Sequence, residues 1–227
     1  PNAAFLSYVQ NTENETTSIK IPKDHYPKVL VFDFGAGTCD ISILELGRNL
    51  NGIYSKNLSI SRFERLGGDD IDKLIAIEHL YPELLKQNNL STEDFRTPEK
   101  KRILQRLLKS SEELKIEICQ NIALLMHERV LPENAFSEEY VSLGGKIEVD
   151  TRKGLLTLYE PKLSYSEFHG VMKTFLNTAP KGTYQTKTIE GQFASIFSPI
   201  QTALKKANLA KDDIDYVLFI GGSSKNP

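Results

Sequence analysis

Apolar and polar residues alternate along three neighbouring stretches in the first quarter of the chain. The stretches are residues 29–34, 39–46 and about 52–63, and their β-branched and aromatic side chains are typical of strands. Because the connections between them are short, we expect an antiparallel meander. The first connection is Gly35-Ala36-Gly37-Thr38, with Asp33 before it and Asp40 after it.

The period becomes helical after Gly67 and Gly68. Asp69 and Asp70 suit a helix N-terminus, where carboxylates meet unpaired amides and the positive end of the helix dipole. Helical spacing then recurs in a long amphipathic segment after Thr97, in residues 164–176 and in residues 189–209, where Pro199 predicts an interruption. Short strands are predicted at 140–149 and 155–158, and a last apolar strand ends at Gly221 and Gly222.

The order of these elements is three strands, helices, a mixed middle segment, more helices and a buried strand. This order predicts an α/β layered domain that carries a smaller inserted α+β subdomain. We found no internal repeat and no low-complexity segment.

Composition excludes several classes of protein. The 227 residues are 40% hydrophobic and 26% charged, with a net charge of −2, so no basic excess indicates nucleic-acid binding. No run reaches the roughly 18 apolar residues of a membrane span, and no leader segment opens the chain. With only Cys39 and Cys119 there is no disulfide framework, which favours a reducing, cytoplasmic location. The absence of an initiator Met and the stop at a strand-to-turn signal suggest an excised fragment.

The turn between Asp33 and Asp40 fits two readings. Small residues let backbone amides approach a phosphate chain, and Gly35 and Gly37 permit positive φ. Asp33 could hold the water shell of Mg²⁺, and the Thr38 hydroxyl could contact a phosphoryl oxygen or an attacking water. An ordinary hairpin also uses glycine, and the local sequence leaves the two readings about equal. The turn matches neither a Walker loop nor a dinucleotide fingerprint.

Two further motifs each have a functional and a structural reading. Gly221, Gly222, Ser223, Ser224 and Lys225 follow a buried strand, where ligands of open α/β sheets bind, although a capped strand-to-helix turn would look the same. Glu112, Lys115 and Cys119 share a helix face beside Ile116 and could grip sugar hydroxyls and a base, or could form a solvated ion pair. The four histidines show no metal-ligand spacing, so a structural metal site or a Ser-His-Asp nucleophile has little support.

Taken in order, these motifs resemble the ATPase domain of the seventy-kilodalton heat-shock, DnaK-like chaperones. The stretches that carry the resemblance are VLVFDFGAGTCDISIL, RLGGDDID, SSEELKIEIC and VLFIGGSSKNP, together with PNAAFLSY at the start, which resembles a family helix. The resemblance implies an actin-like fold of two ribonuclease-H-type lobes that close on ATP or ADP with Mg²⁺. This chain would be the second lobe.

The resemblance also implies a domain layout. Residues 1–28 would be the end of an inter-lobe helix and a loop, residues 29–66 and 163–227 the ribonuclease-H-like core, and residues 67–162 the inserted subdomain.

The same resemblance implies roles for individual residues. Around the phosphates and Mg²⁺ it places Asp33, Gly35, Ala36, Gly37 and Thr38, with Asp33 and Thr38 in the catalytic roles. At the base of the inserted subdomain it places Gly67, Gly68 and Asp69. Around adenosine it places Glu112, Lys115, Ile116 and Cys119 on one side, and Gly221, Gly222, Ser223 and Lys225 on the other.

Several positions depart from the family pattern. Ala36 stands where a glycine is usual, Cys119 where a serine is usual, and Lys225 where an arginine usually stacks on adenine. The connection before residue 28 is longer than typical, and residues 121–160 diverge most. These departures indicate a divergent member and bear on its nucleotide affinity.

The resemblance implies partners as well: a J-domain co-chaperone, a nucleotide-exchange factor and unfolded peptides, in a stress-response chaperone. The family's first phosphate loop and catalytic lysine belong to the first lobe, so we expect the 227 residues alone not to turn over ATP. Two alternatives stay open: another actin-like ATPase or kinase, and a non-hydrolysing interaction protein that kept the fold.

Overall fold

A computed structural model describes residues 25–50, 52–61, 66–127, 139–176 and 195–225. Its contacts group the chain into two compact units. The first unit combines Pro1–Gly68 with Ile196–Lys225, and the second consists of Asp69–Ser195 and the last two residues. Both units mix helices and strands, so the α/β class predicted from the sequence is confirmed. The helix expected at the start of the chain lies outside the described residues.

The first unit is built on a four-stranded sheet. Its strands are β1 (Lys28–Phe34), β2 (Cys39–Asn49), β3 (Gly52–Ile60) and the last strand of the chain, β8 (Tyr216–Ile220). The spatial order is β3-β2-β1-β8, with antiparallel neighbours except for β8, which runs parallel to β1. The predicted meander is therefore confirmed. Because β1 and β8 are parallel, their carboxyl ends lie at the same edge of the sheet.

Alternation along the strands gives this sheet its apolar core. Val29, Val31, Leu44 and Leu46 are fully buried, and Ile53, Leu218 and Ile220 pack against them. Burying side chains of this size stabilises the folded state by about 1.5–3 kcal/mol each.

One described helix, α5 (Phe197–Ala207), packs on β2 and β3. The Ser59 hydroxyl donates to the carbonyl oxygen of Ala203 at 2.8 Å and ties the helix to the sheet. The predicted interruption at Pro199 is wrong, because this proline is the third residue of an unbroken helix. In the first turn an amide has no intrahelical acceptor, so a missing N–H costs nothing there.

The first helix begins at Gly68, the second residue of the Gly67-Gly68 pair, and it continues into the second unit with the other helices. These helices are α1 (Gly68–Ile75), α2 (Tyr81–Gln87), α3 (Thr97–His127) and α4 (Tyr165–Phe175). Asp69 and Asp70 lie in the first turn of α1, as the sequence predicts. The buried face of α3 includes Ile103, Leu107, Leu114 and Ile118.

A single π-helical turn, Ala76–Leu80, joins α1 to α2, and the sequence period did not predict it. The turn ends with the N–H of Tyr81 donating to the carbonyl oxygen of Ala76. Pro82 follows at once and has no N–H to donate. In a regular helix, the ring of Pro82 would clash with the preceding turn, and a carbonyl of that turn would lack its N–H donor. A wider turn just before the proline avoids both problems.

Two small antiparallel ribbons complete the second unit. One pairs β4 (Tyr140–Ser142) with β7 (Lys162–Ser164), and the other pairs β5 (Lys146–Thr151) with β6 (Gly154–Tyr159). The strands expected at 140–149 and 155–158 are confirmed as β4, β5 and β6, and Arg152 and Lys153 form the turn between β5 and β6. The three-residue strand β7 was not predicted.

Candidate functional site

The turn between β1 and β2 is short and closed by its own backbone. Asp33 lies opposite Asp40 and Phe34 opposite Cys39, so residues 35–38 alone connect the strands. The Gly35 N–H donates to the carbonyl oxygen of Thr38 at 2.9 Å. Ala36 and Gly37 are exposed at the tip, whereas Asp33 and Thr38 are half-buried at its base. The tip therefore presents backbone groups and one hydroxyl, with a carboxylate beside them.

Gly35 does not adopt the positive φ that the sequence led us to expect. Its φ lies outside the left-handed region, and a Cβ built on it would lie 3.7 Å from the Thr38 carbonyl oxygen, which is ordinary van der Waals contact. The fold itself therefore does not require glycine at position 35.

Gly67 and Gly68 lie against the same turn. The Gly68 N–H donates to the carbonyl oxygen of Gly35 at 3.0 Å. A Cβ on Gly67 would come within 2.2 Å of the Ala36 carbonyl oxygen and 2.7 Å of the Gly37 nitrogen, both backbone atoms. Only glycine fits at position 67. The Gly67-Gly68 motif therefore packs directly against the turn at residues 35–38.

The end of β8 lies next to the last residues of β1. Ile220 lies beside Asp33 in the parallel pairing, and Gly221 follows with φ +92°. A Cβ on Gly221 would lie 2.5 Å from the carbonyl oxygen of Phe34 and 2.9 Å from Oδ1 of Asp33. Glycine is required here both by conformation and by space.

The chain after Gly221 turns at once into a single turn of 3₁₀ helix, Ser223–Lys225. The Ser224 hydroxyl donates back to the Gly221 carbonyl oxygen at 2.8 Å. Gly222 is exposed and Ser223 half-buried. Three motifs that are far apart in sequence therefore meet at the carboxyl ends of β1 and β8, where ligands of α/β sheets bind.

The remaining candidate residues belong to the second unit. Asp69 lies in the first turn of α1, and Glu112, Lys115, Ile116 and Cys119 lie on α3. Glu112 is exposed and Ile116 is 45% exposed, whereas Cys119 is buried. Burial raises the pKa of the Cys119 thiol to about 11. The thiol therefore stays protonated at neutral pH and acts as a small apolar group.

Lys115 is not a solvated residue. Its Nζ lies 2.8 Å from both carboxylate oxygens of Asp72, and the two side chains are only 10% and 8% exposed. Burial raises the pKa of Asp72, an effect larger than the opposing hydrogen bond and charge of Lys115. Sequence reasoning missed Asp72. The available signal was a carboxylate inside the apolar pattern of α1, next to Ile71 and before Leu74.

Asp33 was expected to hold Mg²⁺ through water. Among the described residues, no group of three or more His, Cys, Asp or Glu side chains could hold a metal ion. Mg²⁺ usually keeps several waters and takes one or two protein carboxylates plus phosphate oxygens, so a single carboxylate fits that chemistry. Because residue 221 is glycine, no Cβ lies 2.9 Å from Asp33 Oδ1.

The described part of the chain is a mixed α/β structure with a glycine-lined turn between two strands and a Gly-Gly-Ser turn after a parallel strand. Comparison with known proteins identifies the family. The family model described as Hsp70 protein matches residues 1–148. The chain belongs to the Hsp70 family.

A curated relative gives a second measure of this likeness. "Chaperone protein dnaK" from Cyanophora paradoxa is 31% identical over 230 aligned residues, which cover the whole of this chain and 28% of that protein. The chain thus spans a little over a quarter of the length of that relative. Within the described part of the chain, no helix has the length and apolar character needed to cross a membrane.

Proposed function

We propose that this chain is the second lobe of the ATP-binding domain of a divergent DnaK-like chaperone, with an actin-like, ribonuclease-H-like core. The observation that carries the proposal is the meeting of three glycine motifs around Asp33. Gly67 lies against the backbone of Ala36 and Gly37, Gly221 lies against Phe34 and Asp33, and both are glycine for lack of space. Backbone amides and a hydroxyl beside a carboxylate are suited to phosphate with Mg²⁺.

In this proposal the turn residues Gly35, Ala36, Gly37 and Thr38 surround the phosphates. Asp33 orients the water shell of Mg²⁺, and the Thr38 hydroxyl donates to a phosphoryl oxygen or positions a water. Mg²⁺, when bound, neutralises charge on the phosphate oxygens. Gly67, Gly68 and Asp69 support the turn and the start of α1.

Adenosine recognition falls to the remaining candidates. Glu112, Lys115, Ile116 and Cys119 contact the nucleoside from α3, and Gly221, Gly222, Ser223 and Lys225 contact it from the end of β8. Because Cys119 is a buried, neutral thiol, its contribution is apolar contact. The proposed layout keeps residues 29–66 and 163–227 as the core, residues 67–162 as the inserted subdomain, and residues 1–28 as the inter-lobe segment.

The longer protein would couple ATP hydrolysis to peptide binding and release, with a J-domain co-chaperone and a nucleotide-exchange factor as partners. These activities are proposed from family membership. A cytoplasmic location stays a prediction from cysteine usage, as does the stress-response role. We also propose that the 227 residues alone bind nucleotide without sustained turnover, since phosphoryl transfer needs groups positioned from two lobes.

Two measurements on the purified chain test the proposal. Isothermal titration with ADP, with and without Mg²⁺, should show one site whose affinity depends on Mg²⁺. A steady-state phosphate-release assay should then show no Mg²⁺-dependent turnover above background. The binding proposal fails if ADP gives no heat and no thermal shift, and robust hydrolysis would refute the expected lack of turnover.

A further inference from the structure

A cavity in the second unit takes no part in the proposed function. Its volume is about 410 Å³, and its wall is formed by residues of the π-helical turn, α2, β4, β7 and the start of α4. Ligand sites in proteins have similar volumes, but they are mostly apolar. This wall instead holds three carboxylates and two ammonium groups, those of Glu78, Glu83, Glu167, Lys86 and Lys162. The cavity is therefore suited to a charged group.

Two of these carboxylates already have partners. Oε2 of Glu83 lies 3.4 Å from Nζ of Lys86, and Oε1 of Glu167 lies 3.4 Å from Nδ1 of His79. The second oxygen of each carboxylate accepts a further hydrogen bond from another residue. Both carboxylates are thus in contact with donors of the second unit through both of their oxygens.

Glu78 is the carboxylate that has no such partner. It lies half-buried on the π-helical turn, next to His79. Its Oε1 is buried, and among the residues that the structure describes this oxygen accepts no hydrogen bond. Burying a polar atom without a hydrogen bond destabilises a fold, so such an atom calls for an explanation. The terminal torsion of a glutamate is broad, so the Glu78 carboxylate can turn towards a donor in the cavity.

The ammonium groups of the wall do not balance Glu78. Lys86 is paired with Glu83 at 3.4 Å, and Lys162 lies over the Tyr140 ring, with its Nζ 5.4 Å from the ring centroid. A lysine in that position interacts with the π electrons of the ring. The charge that the described side chains of the wall leave without a partner is therefore negative. Because a carboxylate offers acceptors only, the complementary ligand is a cation with several donors.

Arginine meets this requirement better than lysine. Its planar guanidinium presents a fork of N–H donors that contacts both oxygens of one carboxylate, whereas lysine acts as a point charge. The Tyr140 ring lines the cavity and is 60% exposed, and tyrosine is enriched at protein interfaces. A polypeptide that inserts an arginine therefore also finds an aromatic surface for its neighbouring residues.

We propose that this cavity is a docking site for an arginine side chain of a partner polypeptide, and that Glu78 accepts the guanidinium donors. This inference goes beyond the proposed function and does not require that the chain binds nucleotide. It gives a role to the π-helical turn, because that turn places Glu78 in the wall of the cavity. Irregular turns of this kind are frequent at functional sites.

The test is an NMR titration of the isotope-labelled chain with acetyl-Gly-Arg-Gly-amide and with the same peptide carrying citrulline in place of arginine. The arginine peptide should shift the backbone amide signals of Glu78, His79 and Ser164, with a Kd of about 1 mM. Citrulline has the shape of arginine without its charge, and its peptide should bind about fivefold more weakly or worse. The proposal is overturned if these signals do not move at about 10 mM arginine peptide, or if the citrulline peptide binds equally well.

Variants locate the site. Glu78→Gln keeps the size of the side chain and removes its charge, and it should weaken binding of the arginine peptide about fivefold or more. Glu113→Gln is the matched control, because Glu113 is an exposed carboxylate of the same unit that does not line the cavity. It should leave the affinity unchanged. An equal loss in both variants would indicate general electrostatic attraction and would overturn the docking site.

A stability measurement separates binding from a structural role. Because the Glu78 carboxylate is buried without a partner, Glu78→Gln should leave the midpoint of urea unfolding unchanged or raise it. A lower midpoint together with unchanged peptide affinity would make Glu78 a structural residue and overturn the proposal. The comparison of arginine with citrulline uses the wild-type chain, so it decides the proposal even if the variant does not fold.

Free arginine separates the two sources of a guanidinium group. It should bind no more tightly than the arginine peptide, because the peptide also provides the neighbouring residues that contact Tyr140. Tighter binding of free arginine would mean that the cavity takes a small molecule, and the proposal of a partner polypeptide would then be wrong.

Discussion

The amide of Gly68 donates a 3.0 Å hydrogen bond to the carbonyl oxygen of Gly35 in the turn between β1 and β2, and both residues belong to the first unit. Next to it, Gly67 passes so close to Ala36 that a Cβ would overlap the backbone at 2.2 Å. By contrast, a Cβ on Gly35 would meet only ordinary contacts. Gly67 is therefore required by lack of space, whereas Gly35 is not. Alanine substitutions at the two positions can separate an effect on stability from an effect on binding.

Gly67→Ala is expected to destabilise the chain, because the overlap is with backbone that cannot rotate away. Overpacking of this kind costs about 1–3 kcal/mol and occasionally more. Gly35→Ala should leave the free energy of unfolding within about 0.5 kcal/mol of wild type. It should nevertheless weaken ADP binding by about fivefold or more, since the new methyl group adds bulk to the turn proposed to contact the phosphates.

Urea unfolding and ADP titration of both variants check this pair. The interpretation of the turn as a phosphate site is refuted if Gly35→Ala binds ADP like wild type. Equal stability of Gly67→Ala and wild type would show that the close approach to Ala36 does not hold in solution.

Asp40 is a suitable control for the proposed role of Asp33 in binding Mg²⁺. Asp33 and Asp40 lie opposite each other on β1 and β2, and both are half-buried. Only Asp33 also adjoins Gly221 at the end of β8. Asp33→Asn should abolish most of the Mg²⁺ dependence of ADP binding, whereas Asp40→Asn should keep it. ADP titrations with Mg²⁺ and with EDTA measure this, and a similar loss in both variants would contradict a specific role for Asp33.

The hairpin, the helix start at Gly67 and the closing strand could be predicted because each has a strong local signal. Alternation gave β1 and β2, and carboxylates after two glycines gave α1. The local signals could not show which of these segments lie next to one another in the fold. That Gly67 and Gly221 are glycine because of Ala36, Phe34 and Asp33 follows from contacts between distant parts of the chain.

Errors in the sequence interpretation have similar physical causes. The π-helical turn at Ala76–Leu80 compensates for a missing amide at Pro82, and no hydrophobic period encodes it. One of the two readings left open for Lys115 was a solvated ion pair on α3, because helical spacing shows neighbours on one helix only. Its partner, Asp72, comes from another helix.

Lys115→Met is expected to destabilise the second unit in a pH-dependent way. Removing the ammonium leaves the Asp72 carboxylate buried without its partner, which costs about 3–5 kcal/mol when the carboxylate is charged. Burial already raises the pKa of Asp72, and losing Lys115 removes an influence that lowers it. A carboxyl whose pKa is higher in the folded state than in the unfolded state destabilises the fold most at high pH. The loss is relieved as pH falls through the folded-state pKa.

Chemical unfolding of Lys115→Met at pH 8 and pH 5 measures this effect. The difference from wild type should be smaller at pH 5. Lys115→Met combined with Asp72→Asn is the control, and its difference from wild type should not narrow in the same way. A single variant with a constant deficit at both pH values would show that Asp72 does not carry the uncompensated charge.

Glu167 stabilises the start of α4 through several contacts. Its Oε1 lies 3.4 Å from Nδ1 of His79, and its Oε2 accepts from the backbone N–H and the hydroxyl of Ser164 at 2.8 and 2.9 Å. The Ser164 hydroxyl in turn accepts from the Glu167 N–H at 3.2 Å, which completes a capping box. These bonds, first that from His79, lower the pKa of Glu167 from 4.5 to about 2, against the opposing effect of burial.

Because the pKa of Glu167 is lower in the folded state, the direction of its effect on stability with pH can be predicted. The contribution of Glu167 is fully present above its unfolded-state pKa near 4.5 and is lost as pH falls towards about 2. Wild type should therefore be more stable than Glu167→Gln at pH 7, and the gap should close between pH 4.5 and pH 2.5 in urea unfolding. Because the side chain is 46% exposed, solvent screening keeps the gap small. Glu113→Gln is the control, since Glu113 pairs with Lys109 at 3.6 Å on an exposed helix face and should show almost no gap at any pH. If the Glu167→Gln gap stays constant down to pH 2.5, the His79 and Ser164 contacts do not hold this carboxylate in its charged form.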